Sequence, residues 1–475
     1  MKLWKIIAYF SLFFIILYRI SISFSYKYEL CNGENNNIWS IANETTNHYK
    51  LYTDPEKLPI VIYPYTPLSE YPIILISKLF DSSSKDFIHN ITITGRLYQL
   101  FTSLLLIFLI FKICRNQLGI DKLTSLFTCI LILGLQLPTS MSIRPDATFY
   151  CFIVLSIYLT LNYLKTQTIL NLLLISISYT LTFYTKQDGL FLVIPILLIF
   201  ILYKIKKTHL LLFALLSLLN FAIIYSLLNN SYGHNFIKNT ITGIQNVSSV
   251  SQLLYIFFRF SDYYLFHLIA FITISAIYLK KEKKEKIITS IYIFTSFYLL
   301  LAFILISKHG SWINYFYPFI VLSSIIITYY FNKLKINIFI MYMIILLIFN
   351  IKIFYNYTSP AVLQKNNKEI YNKKYNELTR IREKYNIRKN DFVLIADILQ
   401  RTMLFKNSIM INTEYFSFTK FRYSDFRTLQ SKNIKYIIFK NGENQIIEYL
   451  ILFFNLDLDN YKLNKFQEYT IYKLK

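Results

Sequence analysis

A few charged residues stand at the edges of long apolar runs, and their types suit transfer of a group away from a phosphate. Ser142-Ile143-Arg144-Pro145-Asp146 sets a cation and an anion close together between two such runs. Thr185-Lys186-Gln187-Asp188-Gly189 repeats the pairing between the next two. Glu34 follows Gly33 shortly after the first run, and Arg96, in Thr94-Gly95-Arg96-Leu97, opens another. Charges at the ends of spans are costly to bury, which makes each a site candidate. A carboxylate beside apolar walls can have a raised pKa and take a proton from a hydroxyl, which makes Glu34 the candidate base. Arg96, Arg144 and Lys186 are candidates to hold a phosphate. Asp146 is the second catalytic candidate, orienting a sugar, an acceptor or a metal. Plainer roles compete: a solvated loop acid for Glu34, a mutual ion pair for Arg144 and Asp146, and snorkelling to headgroups for Lys186.

Later in the chain, Lys308-His309-Gly310-Ser311-Trp312-Ile313-Asn314-Tyr315-Phe316 gathers polar donors where a headgroup would sit. His309, Asn314 and Tyr315, with Asp188, are candidate substrate-binding residues, although Trp and Tyr also mark membrane interfaces. His234 and His267 stand alone and suit structural roles. The sequence has no Walker loop and no dinucleotide fingerprint. Its four cysteines lack zinc spacing. Whether a divalent metal takes part is left open.

These residues must be positioned by membrane helices. Of 475 residues, 55% are hydrophobic and only 16% charged, which excludes an ordinary soluble enzyme and a disordered chain alike. Eleven apolar spans can be read, roughly 4–24, 96–114, 123–138, 147–164, 169–184, 189–203, 209–228, 262–279, 287–306, 313–331 and 336–355. The formal charge of +24 is an orientation signal. Basic residues fall in alternate connections: Lys112, Arg115 and Lys122; Lys165; Lys204, Lys206 and Lys207; Lys280 to Lys286; Lys333 and Lys335. Short cationic loops stay in the cytoplasm, so the N-terminus is expected inside and 25–95, 229–261 and 356–475 outside. No folded basic domain remains to hold nucleic acid. Arg19, near the outer half of the first span, is expected to snorkel.

The expected fold is a polytopic α-helical membrane protein with a small C-terminal α/β domain. Residues 1–355 form the membrane part, with the long first loop 25–95, and 356–475 the soluble part. Within the loop, Tyr71 to Phe80 is too short to span and reads as an interfacial helix. In the soluble part, 365–386 reads as a helix, and Phe392–Ile398, Ser408–Asn412 and Lys435–Lys440 as strands.

The order of these pieces resembles the GT-C membrane glycosyltransferases, and most closely the bacterial dolichyl-phosphate-mannose-protein mannosyltransferase-like branch, near the aminoarabinose transferases of lipid A. The matching pieces are Gly33-Glu34 after the first span, Lys50 to Asp54, the Tyr63 to Leu68 turn, Gly95-Arg96, Arg144-Pro145-Asp146, Lys186 to Gly189, and Gly310 to Tyr315. They cover about residues 1–330. Two departures stand out: no acidic pair follows the first span, only Glu34 with Asn35, and Lys50 replaces the usual Gly.

The resemblance implies inverting transfer of a sugar from a polyprenyl-phosphate donor to a hydroxyl of a glycan, lipid or protein. Glu34 would be the base, Asp146 its assistant, and Arg96, Arg144 and Lys186 the phosphate ligands. A donor already activated by its phosphate needs no nucleotide-binding domain. The AT-rich composition favours a bacterial inner membrane. Competing readings are a transporter or flippase of lipid-linked sugars, a polysaccharide polymerase or ligase, and a noncatalytic scaffold.

Overall fold

The computed structural model describes residues 2–26, 29–31, 33–54, 63–136, 138–242, 248–279, 285–308, 311–334, 367–388, 391–395, 408–409, 434–441 and 456–475. The expected span 336–355, His309, and most of the 280–286 lysine cluster lie outside them.

The described chain is mainly helical. Its helices are α1 (Lys2–Ser23), α2 (Glu34–Thr45), α3 (Tyr71–Ser77), α4 (Phe87–Lys112), α5 (Lys122–Gly134), α6 (Asp146–Thr166) and α7 (Ile169–Thr185). They continue with α8 (Val193–Leu202), α9 (Lys207–Tyr232), the single turn α10 (Asn235–Ile237), α11 (Val250–Leu279), α12 (Lys286–Ile306), α13 (Tyr317–Leu334) and α14 (Asn367–Lys384). Among the described residues, six helical segments are long and apolar enough to cross a bilayer, and α5, α7 and Gln187–Leu202 are shorter apolar helices. A further candidate span is α11, which bends by 87° between Val250–Asp262 and His267–Tyr278. Its second half is the expected span 262–279, and its first half is helix where a loop was expected.

The outward faces are apolar. Phe10, Phe13 and Phe14 on α1, and Leu211, Leu215, Leu218 and Leu219 on α9, are more than half exposed. Water would penalise such a surface, whereas lipid solvates it. Arg19 does not snorkel. It turns inward, fully buried, donating to Gln136 Oε1, Ser103 Oγ (3.1 Å) and Ser140 O (3.0 Å).

Two ends of the bundle differ. At the basic end, Lys165 Nζ donates to Asn116 O at 3.1 Å, which joins the α4–α5 and α6–α7 turns. At the opposite end lie α2, α3 and the 142–146 turn. Helix α2 is almost wholly buried, within what was expected as the external first loop. The short α3 buries Ile73, Ile74 and Ser77 and exposes Leu75 and Ile76, as an interfacial helix would. Helix α4 begins at Phe87, so Arg96 lies well inside it rather than at its mouth. The polar run His89 to Thr94 disguised that start. It is helical because α2 and α3 pack against it.

The C-terminal part is a mixed five-stranded sheet in the order β2-β1-β3-β5-β4, with β1 (Phe392–Ile395), β2 (Ser408–Ile409), β3 (Ile434–Lys440), β4 (Tyr461–Phe466) and β5 (Tyr469–Leu474). β1 pairs parallel with β2 and β3, while β5 runs antiparallel to β3 and β4. Helix α14 covers one face through Tyr371, Leu378 and Ile381, and Leu394, Ile437 and Phe439 on the sheet join the core around α2 and α3. The sheet therefore sits at the end away from the basic turns.

Candidate active site

Two charged centres occupy this end. In the first, Glu34 opens α2 behind Gly33, whose φ of 87° is the left-handed geometry glycine adopts cheaply. Its carboxylate is completely buried. Arg96 Nε and Nη2 grip Glu34 Oε1 and Oε2 at 2.9 and 3.0 Å. Two backbone amides complete the shell, Leu30 N at 2.7 Å and Ile143 N at 3.0 Å. Arg96 Nη1 also donates to Ser25 Oγ at 3.2 Å. One helical turn on, Asn37 Nδ2 donates to Ile143 O at 2.8 Å. Thus α2 holds both backbone groups of Ile143. Gly95 permits the close approach, since a Cβ there would overlap the Ile143 side chain. Cys31 Sγ and Ser142 Oγ share a bond of 2.8 Å, and burial pushes that thiol up to about 12 against the lowering effect of Arg144.

The second centre starts three residues further along. Asp146 is the first residue of α6 and fully buried. Arg144 Nε reaches its Oδ2 at 3.2 Å. Its Oδ1 accepts from Lys186 Nζ at 3.3 Å and Asn314 Nδ2 at 2.7 Å, and Tyr150 OH stands 3.4 Å away. Arg144 Nη2 donates to Tyr65 OH at 3.0 Å. Burial raises the Tyr65 phenol above its ordinary range, with Arg144 and Lys186 opposing. Lys186 Nζ lies over the rings of Tyr315 (4.5 Å) and Phe149 (5.6 Å). Two cations thus share one carboxylate.

This second centre opens onto a narrow cleft lined by Lys186, Asp188, Asn314 and Tyr315, with apolar walls that include Phe149, Tyr298 and Leu301. The turn that carries Lys186 is anchored by Gln187, which donates to Pro64 O and to Thr240 O (3.0 Å). Gly189 lies against α7, where a Cβ would come within 2.6 Å of the Thr182 carbonyl.

The expected site residues therefore separate into two groups. Arg144, Asp146, Lys186, Asp188, Asn314 and Tyr315 gather at or beside the cleft. Glu34 and Arg96, expected as base and phosphate ligand, bond each other, and neither lines the cleft. Expectation missed Tyr65, Tyr150 and Asn37. Tyr150 was findable, because it lies one turn after Asp146 on the same helix. Asn37 has the same relation to Glu34, but only once α2 is known to be helical. Among the described residues, no three His, Cys, Asp or Glu side chains gather to hold a metal ion.

With this geometry in view, the fold is that of the GT-C membrane glycosyltransferases. Residues 65–234 match the family model for dolichyl-phosphate-mannose-protein mannosyltransferase, a stretch that contains Arg96, Arg144, Asp146, Lys186 and Asp188 but not Glu34. The structure of ArnT from Cupriavidus metallidurans bound to undecaprenyl phosphate superposes with a TM-score of 0.62 at 12% identity, covering 96% of each chain. Its apo structure gives 0.61 at 10% identity, covering 99% of this chain and 98% of that one. The apo oligosaccharyltransferase of Archaeoglobus fulgidus gives 0.56 at 12% identity, over 92% of this chain and 70% of its own. No curated protein matches the chain by sequence.

Proposed function

We propose that this protein is a membrane glycosyltransferase that moves a sugar from a polyprenyl-phosphate donor to a hydroxyl of a glycan, lipid or protein acceptor. One observation carries the reading: Lys186 and Arg144 share the single carboxylate of Asp146 beside a cleft with apolar walls. Two cations in such a place suit a lipid phosphate. The undecaprenyl phosphate bound by the similar ArnT is of that class.

In this reading Lys186 and Arg144 stabilise the charge that grows on the departing phosphate. Asp146, itself held by Asn314, holds Lys186 in place. The transition state is oxocarbenium-like, as in glycoside hydrolysis, and a single displacement inverts the anomeric centre. Glu34 and Arg96 position the 142–146 turn from behind, in place of the catalytic roles expected of them. The site end faces the non-cytoplasmic side of a bacterial inner membrane, with the N-terminus inside. Residues 1–355 form the membrane part and 356–475 a cap over the site.

The test is incubation of purified protein in lipid nanodiscs with labelled polyprenyl-phosphate sugars and a glycolipid extract. Label is expected to move to an acceptor, and Lys186→Ala to slow that step by about 10²–10³-fold, as for loss of one anion-stabilising donor. Lipid that is bound and flipped while its sugar stays attached would favour a transporter instead.

A further inference from the structure

Transfer to a hydroxyl needs a group to take its proton. Of the three acids among the expected site residues, two are already engaged. Glu34 accepts from two guanidinium nitrogens and two amides, behind the cleft wall. Asp146 accepts from Arg144, Lys186 and Asn314. Taking up a proton at either would strand buried cations.

Asp188 differs on each count. It lines the cleft with Lys186, Asn314 and Tyr315. It is half-buried, and among the described residues its carboxylate makes no hydrogen bond or ion pair. Its electrostatic neighbours are Tyr298 from α12 and Tyr315. The same turn therefore delivers a cation and a free anion to one cleft, two residues apart. That turn is rigid, fixed by the Gln187 bonds and by the contact of Gly189 with the α7 backbone.

We propose that Asp188 is the catalytic base, facing the acceptor hydroxyl while Lys186 faces the donor phosphate. The proposal rests on the transferase reading above. The acceptor O–H gives its proton to the Asp188 carboxylate. The acceptor oxygen bonds the anomeric carbon as the bond from that carbon to the phosphate oxygen breaks. The electron pair leaves with polyprenyl phosphate, whose added charge Lys186 balances. Asp188 then releases the proton to water. Among the described residues, the other charged or titratable groups around this exchange are Tyr65, Tyr298, Tyr315, Asp146, Tyr150 and Arg144.

The experiment compares wild type, Asp188→Asn and Asp188→Glu in three readouts: binding of polyprenyl phosphate by fluorescence quenching, transfer kcat, and the pH profile of kcat/KM. Asp188→Asn is expected to bind polyprenyl phosphate like wild type, to lose about 10²–10⁴-fold in kcat, and to lose the acidic limb of the profile. Asp188→Glu is expected to keep that limb and part of the rate. If wild type transfers sugar and Asp188→Asn keeps both rate and limb, the base assignment is overturned while the transferase reading stands. If wild type transfers no sugar from any polyprenyl phosphate, both fall.

Discussion

The two charged centres meet at one short turn, yet they are built differently. Glu34–Arg96 is closed: both side chains are 0% exposed, and the carboxylate is saturated by four donors. Asp146–Arg144–Lys186 is open, with Arg144 16% exposed and Lys186 lining the cleft. The pairing differs too: one cation holds one carboxylate at the closed centre, whereas two cations share one at the open centre, with Asp188 a second anion on the cleft. A matched, buried pair has little to offer a ligand, because any ligand must first replace the partner. A cation that lines a cleft and shares its carboxylate with a second cation has that capacity already. On the proposed reading, what an acid's oxygens already hold, and not its proximity to a first span, decides whether it can serve as base.

Breaking one side of the closed pair should have the largest effect on stability. Glu34→Ala leaves Arg96 buried without its counter-charge and should cost about 3–5 kcal/mol in denaturant unfolding in detergent micelles. The double variant Glu34→Leu/Arg96→Met should recover much of that loss. If instead the single variant unfolds like wild type and only transfer collapses, Glu34 is a catalytic group after all. At the open centre the pattern should reverse. Arg144→Gln leaves Asp146 paired with Lys186, so stability should change little while the donor KM rises about tenfold, the equivalent of one charge-assisted hydrogen bond. A smaller effect is expected at the link between the centres. Asn37→Ala removes the bond to Ile143 O and should cost about 1 kcal/mol, with a slight rise in donor KM.

A further effect concerns pH. Glu70, fully buried before α3, has its carboxyl pushed up to about 7 by burial, with bonds from Ser69 and Tyr63 opposing. The folded protein therefore holds that proton above pH 4.5, where the unfolded chain has released it. Stability from this group is present at low pH and declines as pH rises from about 4.5 to about 7. Melting temperature should fall across that window, and Glu70→Gln should flatten the slope.

Legibility of the sequence followed the same division. The membrane class came from apolar run length, and α6, α7 and α12 fall within about two residues of their expected spans because Asp146, Thr168 and Glu285 mark their starts sharply. Arg144, Asp146 and Lys186 were legible as a group because a charge at a span end is costly to bury, and the ion pair of Arg144 with Asp146 was among the roles foreseen. The engagement of Glu34 was not legible, since its shell comes from residues far apart in the chain, Leu30, Arg96 and Ile143. The β4–β5 hairpin was missed for a local reason. Its turn carries Gln467 at φ 53°, a left-handed position without the usual Gly or Asn signal.

The most direct measurement is a structure of the protein with polyprenyl phosphate bound in nanodiscs. The phosphate should sit within hydrogen-bond distance of Lys186 Nζ, with Arg96 still clasping Glu34. A phosphate held by Arg96, with the Glu34 carboxylate swung free into the cleft, would contradict the division of labour between the two centres.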